Sequence, residues 1–191
     1  MKKTYLTSDT HFGHKLMLKF RPFNSVEEMN EVLIENWNKT VNPGDDVYHH
    51  GDVAFVSNSM IKEITKKLNG NIFLIRGNHD SFGLSDTKSR GFSWIKDYYE
   101  LKYHEYRFCM FHYPQRVWHW SHKGTFHTYG HTHYTINQNY GRSMEVGMDN
   151  PECNYSPFDI DYVVEKLKNI PILVADGHLS DEEKNKGINK L

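Results

Sequence analysis

Cysteine is scarce in this 191-residue chain: Cys109 and Cys153 stand alone, without a C-x-x-C spacing. That count excludes a disulfide framework and a cysteine-rich zinc module, and leaves two free thiols suited to a reducing compartment. Also missing is an apolar run near the ~20 residues needed to span a bilayer. The first residues pass from Lys2-Lys3 into a strand-like stretch without the apolar segment of a secretory leader, which reads as a cytoplasmic protein with no membrane partner. Charge of one sign is lacking too, with a net value of −1. No global basic field exists to hold duplex nucleic acid, and no cationic face to meet a membrane. Internal repeats and low-complexity tracts are absent.

What is abundant is histidine, 13 residues gathered in short motifs. Hydrophobic residues at 38% and aromatics at 14% mark a folding chain, long enough for one domain with a real core. We read residues 1–175 as that domain and 176–191 as a polar, mobile tail. Oligomeric state leaves no sequence signal.

The first 80 residues alternate strand and helix. Thr4 to Ser8 reads as a strand. Ser25 with Glu28 forms a capping box that opens a helix to about Thr40, with Met29, Val32, Leu33 and Trp37 near helical spacing. Val47 to His50 is a second strand, Ser59 to Leu68 a second helix closed by Asn69-Gly70, and Ile72 to Ile75 a continuous apolar third strand. Such alternation argues for an α/β architecture with parallel strands and crossover helices. The second half reads as a hairpin, Tyr98–Tyr103 with Tyr106–Phe111, followed by strands at Thr125–Gly130 and Ser143–Val146. A last helix is expected to start at Ser156-Pro157, with proline in its first turn, and run to about Lys168.

Each early strand stops at a polar cluster, where sites in open α/β sheets lie. Asp9-Thr10-His11 places a carboxylate and an imidazole at i and i+2. Gly51-Asp52 ends the second strand and Gly77-Asn78-His79-Asp80 the third. His112 follows the strand that ends at Phe111, and Gly130-His131-Thr132-His133 supplies two more imidazoles at i and i+2. Mixed carboxylate and imidazole donors suit Mn, Fe, Ni or Zn. There are too many of them for one tetrahedral ion, and the number fits two ions sharing a carboxylate.

The ordered series Asp-x-His, Gly-Asp, Gly-Asn-His-Asp, His, Gly-His-x-His resembles the signature of the calcineurin-like metallophosphoesterase family. That resemblance implies a four-layer α-β-β-α sandwich of two mixed sheets flanked by helices. It implies that Asp9, His11 and His133 hold one divalent ion, that Asn78, His112 and His131 hold a second, and that Asp52 bridges them, with Mn the first guess. His79 would act as general acid at the leaving group, oriented by Asp80, while a metal-activated hydroxide attacks phosphorus in line.

The expected activity is a phosphodiesterase or nucleotide phosphohydrolase on small substrates. The rivals are a phosphomonoesterase, including one acting on phosphoprotein, and a metal-binding scaffold without turnover. His14, Arg21 and Tyr113 are candidate substrate contacts, with a surface histidine and a solvated loop arginine as the bland readings of the first two. His49 and His50 fall on opposite strand faces, so at most one faces the site. Trp118 to His122 is either a base-stacking loop or a flap packed on the domain.

Overall fold

The structure is a computed structural model of the chain that describes residues 2–136 and 140–173. The tail expected at 176–191 lies outside the described residues. The strands are β1 (Thr4–Thr7), β2 (Asp46–His49), β3 (Asn71–Ile75), β4 (Trp94–Lys96), β5 (Tyr98–Tyr103), β6 (Tyr106–Phe111), β7 (Phe126–Tyr129), β8 (Ser143–Glu145) and β9 (Phe158–Asp159). The α-helices are α1 (Val26–Thr40), α2 (Asn58–Thr65), α3 (Thr87–Arg90) and α4 (Ile160–Leu167).

Two mixed sheets result. One has the order β4-β3-β2-β1-β9 and the other β5-β6-β7-β8. In the first sheet β1 to β4 are parallel, as short strands joined by helical crossovers must be, and β9 runs antiparallel on β1. In the second, the β5–β6 hairpin is antiparallel and β7 and β8 add in parallel.

Side-chain alternation along each strand sorts the first sheet's residues between two cores. Tyr5, Val47, Ile72 and Leu74 join Met29, Leu33 and Trp37 of α1 and Ile61 of α2 in one cluster. Leu6, Tyr48 and Ile75 join Phe108, Met110, Phe126 and Met144 of the other sheet, with Ile160, Val163, Val164 and Leu167 of α4, in the second. Helices therefore cover one face of the first sheet, and the second sheet covers the other.

Helix α1 begins where its capping residues require. Ser25 Oγ accepts the Glu28 N–H at 3.0 Å, while the Glu28 carboxylate returns to the Asn24 N–H at 2.7 Å, one residue before the cap. Helix α4 departs from expectation. Ser156-Pro157 leads into β9 instead, because Phe158 pairs with Leu6 and completes the sheet edge. Asp159 is the cap, accepting the Asp161 N–H at 3.0 Å. The two-residue β9 and the three-residue β4 were not read from the sequence.

The strand ends are tied together beyond the strands themselves. The β1–β2 ladder continues as Asp9 N to Gly51 O at 2.9 Å, His11 N to Asp52 O at 3.1 Å and Phe12 N to Val53 O at 2.9 Å. The two sheets join at the same end, where Ser8 bridges Gly147 and the Met148 N–H bonds the Ser8 carbonyl at 3.0 Å.

Candidate metal centre

Five donor-bearing segments converge at this common end, and two compact groups form there: Asp9, His11 and His133, and Asp52, His112 and His131. Asp52 stands between them. Its Oδ2 lies 3.8 Å from His11 Nε2 on one side and 3.6 Å from His112 Nε2 on the other. Asn78 belongs with the second group, its Oδ1 lying 3.0 Å from His112 Nε2 and 2.9 Å from His131 Nδ1.

The backbone is bent to deliver these side chains. Asp9, His11, Asp52, His131 and His133 all have φ between 47° and 72°, the left-handed region that non-glycine residues enter rarely. Such conformations cost on the order of 1–3 kcal/mol each and persist where the surroundings enforce them, typically at functional sites. The loops also pack closely enough to require glycine. A Cβ on Gly130 would run into Ser8 and the Asp9 carboxylate, and one on Gly77 would run into Asp52.

Neighbouring groups fix how the donors present themselves. His112 Nδ1 lies 2.7 Å from the His50 carbonyl and therefore donates, which leaves Nε2 unprotonated toward Asp52. His133 Nδ1 donates to Asp149 Oδ2 at 2.7 Å. Asp9 Oδ2 accepts the His131 N–H at 2.9 Å, and Asp52 Oδ1 accepts the His79 N–H at 2.9 Å. Each carboxylate thus keeps its other oxygen for the centre.

Asp9 Oδ1 and both ring nitrogens of His11 are buried and have no hydrogen-bond partner among the described residues. Burial pushes the Asp9 carboxyl up to about 7. Burial, followed by the charges of His133 and Arg21, pushes His11 down to about 2, so its imidazole is neutral. Unsatisfied buried polar atoms are costly and rare. A carboxylate oxygen and a neutral imidazole nitrogen facing one another at 3.8 Å fit a divalent cation.

The centre opens into a cleft of about 520 Å³ lined by His11, His14, Phe20, His79, His133 and Tyr155, among others. His79 is at its edge, Nε2 3.9 Å from Asp52 Oδ2, with its ring against Phe55 at 4.7 Å. His14 stacks on Phe55 at 3.8 Å and faces the cleft. Tyr113 stands edge-on to His112 and His131, with centroids 4.9 and 4.6 Å away.

Two expectations are corrected. Asp80 does not orient His79: its carboxylate accepts the N–H groups of Asp52 and Gly77, each at 2.8 Å, and that of Val53 at 3.1 Å. Three backbone donors, exposed by the sharp turns after β2 and β3, consume the carboxylate. Arg21 is neither a solvated loop residue nor a phosphate contact, being only 3% exposed. It grips Asp149 through Nε and Nη2, both at 2.8 Å, and bonds the carbonyls of Asp9 at 2.6 Å and Thr10 at 2.9 Å.

His49 and His50 are both buried and face neither donor group. His49 Nε2 donates to the Thr10 hydroxyl at 3.0 Å, since that hydroxyl itself donates to Val53 O, and His50 Nε2 accepts from Thr128 at 2.9 Å. The Trp118–His122 segment packs on the outer side of the second sheet. Trp118 lies against His127 and bonds the Thr125 carbonyl at 2.8 Å, and none of the five residues lines the cleft.

Sequence reasoning missed Asp149 and Glu145. Asp149 carries Arg21 and His133. Glu145 accepts the Tyr134 N–H at 3.0 Å and the Thr132 hydroxyl at 2.5 Å, pinning the loop that bears His133. Asp149 follows a strand through Gly147-Met148, the same strand-then-polar signal that marked the other segments.

A family model for calcineurin-like phosphoesterases matches residues 2–189. The chain belongs to this family. As a calcineurin-like phosphoesterase it is a metal-dependent phosphoester hydrolase, of a family that works with two metal ions. A protein of uncharacterized function from Methanocaldococcus jannaschii is 35% identical over 178 residues, covering 88% of this chain and 93% of that one. The gene 66 protein of Mycobacterium phage L5 is 35% identical over 86 residues, covering 42% and 41%. A solved structure of a protein of unknown function from Aquifex aeolicus superposes with a TM-score of 0.68 at 20% identity. It covers 87% of this chain and 100% of that chain, and so shares the phosphoesterase fold.

Proposed function

We propose that this calcineurin-like phosphoesterase is a dinuclear phosphodiesterase acting on small organic phosphodiesters, nucleotides among them. Asp9, His11 and His133 would hold one ion, Asn78, His112 and His131 the other, with Asp52 serving both. The observation that carries the ligand assignment is Asp52 Oδ2 set within 4.0 Å of imidazoles from both groups, beside the unpartnered Asp9 Oδ1 and His11. The oxygen, amide and imidazole donors suit Mn first, with Fe, Ni and Zn as alternatives.

When bound, the two ions supply a nucleophile acidified near neutral pH and positive charge against the phosphoryl oxygens. The protein's own groups do the rest. Asp149 and the His50 carbonyl hold the Nδ1 protons of His133 and His112, keeping each imidazole in one tautomer and orientation. The bond from the His79 N–H to Asp52 Oδ1 holds the general acid's main chain against the Asp52 carboxylate. His79 then delivers its ring proton to the departing alkoxide at the cleft edge. Asp80 acts one step back, by fixing the turns that carry Asp52 and His79.

The choice of diester over monoester rests on charge. Among the described residues that line the cleft there is no Lys or Arg. Near neutral pH a diester brings one negative charge and a monoester closer to two, so the less charged substrate suits a lining without fixed cations. A cleft this size fits small molecules rather than a duplex. We place the protein in the cytoplasm, on its buried free thiols, Cys109 and Cys153. Among the described residues no helix is long and apolar enough to cross a membrane.

The test is turnover by metal-stripped protein reloaded with Mn, comparing bis-p-nitrophenyl phosphate with p-nitrophenyl phosphate. Faster cleavage of the diester is expected. Monoester turnover alone would replace the reading with a phosphatase, and two bound ions with no turnover would replace it with a scaffold.

A further inference from the structure

A second cleft meets the first at the same histidine. Its volume is about 370 Å³, and Phe55, Ser57, His79, Ser81 and Phe82 are among its lining residues. His79 is the residue common to both linings. The rings of His14, Phe55 and His79 form the partition: His14 stacks on Phe55 at 3.8 Å and His79 tilts onto Phe55 at 4.7 Å. Both clefts fall in the size range of small-molecule sites.

Their walls differ. The larger cleft carries Leu16 and Phe20, with Phe20 71% exposed although it is a large apolar ring beside a charged centre. Tyr155 and Met17 continue that apolar wall, and the hydroxyls of Thr132 and Thr135 add polar groups. Exposed apolar surface inside a concave site marks a place for an apolar ligand group. The smaller cleft offers Phe55 and Phe82 with the hydroxyls of Ser57 and Ser81.

We propose that the two clefts are separate subsites for the two organic arms of a linear phosphodiester, with phosphorus at the metal centre and the departing oxygen at His79. The larger one takes a flat, aromatic group of nucleoside size, lying on Phe20. The smaller one takes the other ester arm. A monoester fills one cleft only. A cyclic diester, whose two ester oxygens belong to a single organic group, also fills one. This deepens the phosphodiesterase reading and rests on it: linear diesters are preferred to cyclic ones because binding energy from both arms is available to the transition state.

The experiment compares kcat/KM of Mn-loaded protein on thymidine 5′-(p-nitrophenyl phosphate), bis-p-nitrophenyl phosphate, methyl p-nitrophenyl phosphate and 2′,3′-cyclic adenosine monophosphate. Phe20→Ala removes the wall of the larger cleft, and Ser81→Trp fills the smaller one from an exposed position. Wild type is expected to favour the two large-armed linear substrates. Phe20→Ala should lower kcat/KM on the thymidine ester roughly tenfold, the usual scale for one aromatic contact, and far less on the methyl ester. Ser81→Trp should cost the two large-armed diesters more than the methyl ester. Diester turnover with the cyclic substrate fastest, or with both variants slowing every substrate by one factor, would overturn the two-arm assignment and leave the phosphodiesterase reading standing. Absence of diester turnover by wild type, with p-nitrophenyl phosphate cleaved, would overturn both.

Discussion

Removing the Asp149 carboxylate should damage the fold and the metal centre together. Asp149 accepts from three donors: Arg21 Nε at 2.8 Å, Arg21 Nη2 at 2.8 Å and His133 Nδ1 at 2.7 Å. The Arg21 side chain is fully buried and that of Asp149 nearly so. Burial alone would raise the carboxyl's pKa, but the bonds from Arg21 and His133 outweigh it and hold the group well below the usual carboxylate range. Breaking a buried ion pair by deleting one partner costs roughly 3–5 kcal/mol, because the remaining charge is stranded. Arg21 keeps its bonds to the Asp9 and Thr10 carbonyls, so about 3 kcal/mol is expected for Asp149→Ala. For a chain of this length that lowers Tm by roughly 6–12 °C. Asp149→Asn should be little better, since an amide accepts through one atom only and turns an N–H toward donors. His133 would also lose the acceptor that fixes its ring, an effect worth about 10–100-fold in metal affinity. Urea unfolding of the metal-free protein and calorimetric titration with Mn measure the two effects separately. Unfolding of both variants within about 1 kcal/mol of wild type would refute the strut. Lost stability with unchanged affinity would refute the link through His133.

Asp80→Ala should lower stability by more than about 2 kcal/mol, leaving the buried N–H groups of Asp52 and Val53 and the part-buried one of Gly77 without their acceptor, as chemical denaturation would report. The shape of the pH–rate profile of any residual activity should not change, because Asp80 does not touch His79. Gly130→Ala should abolish tight Mn binding, since its Cβ collides with Ser8 and the Asp9 carboxylate; equilibrium dialysis gives the answer. Burial holds His127 down to about 4, from 6.5. A depressed histidine contributes stability that is present above 6.5 and lost as pH falls toward 4, so the protein should weaken across that window. His127→Gln can keep both ring hydrogen bonds, to the Cys109 carbonyl and from the Gln115 N–H, and should reduce the dependence by about 1.4 kcal/mol per pH unit in urea melts between pH 4 and 6.5.

How far the sequence could be read depended on whether a feature is local. The α1 cap at Ser25 and the apolar run of β3 are written in neighbouring residues, and both stand where their patterns put them. The donor motifs were legible because each sits immediately after a strand, where chain order reveals what will be exposed. Roles set by long-range contacts were not legible. Asp80 is followed by a turn and preceded by His79, which invited a pairing. Its partners, Asp52 and Val53, are 28 and 27 residues away and become its neighbours only when β2 and β3 align in parallel. Arg21 in a loop of mixed polarity reads as solvated, and its burial depends on Asp149, 128 residues on. Local pattern placed the candidate donors, and tertiary contacts decided which groups hold them.

The positive φ values show why that division matters for function. On regular strands the paired residues at i and i+2 would share one face of their own sheet, with nothing to turn them toward the other sheet's donors. Turning Asp9, His11, Asp52, His131 and His133 into the left-handed region brings donors from both sheets to one place. The supporting bonds come from residues that are not donors themselves. Asp80 fixes the turns after β2 and β3, Arg21 with Asp149 fixes the turn after β1 and the ring of His133, and Glu145 fixes the segment from Thr132 to Tyr134. Each strained ligand segment therefore has a buried charged side chain accepting or donating along its main chain. Without those three carboxylates and one guanidinium, the ligand residues could relax to ordinary backbone conformations and the two donor groups would separate.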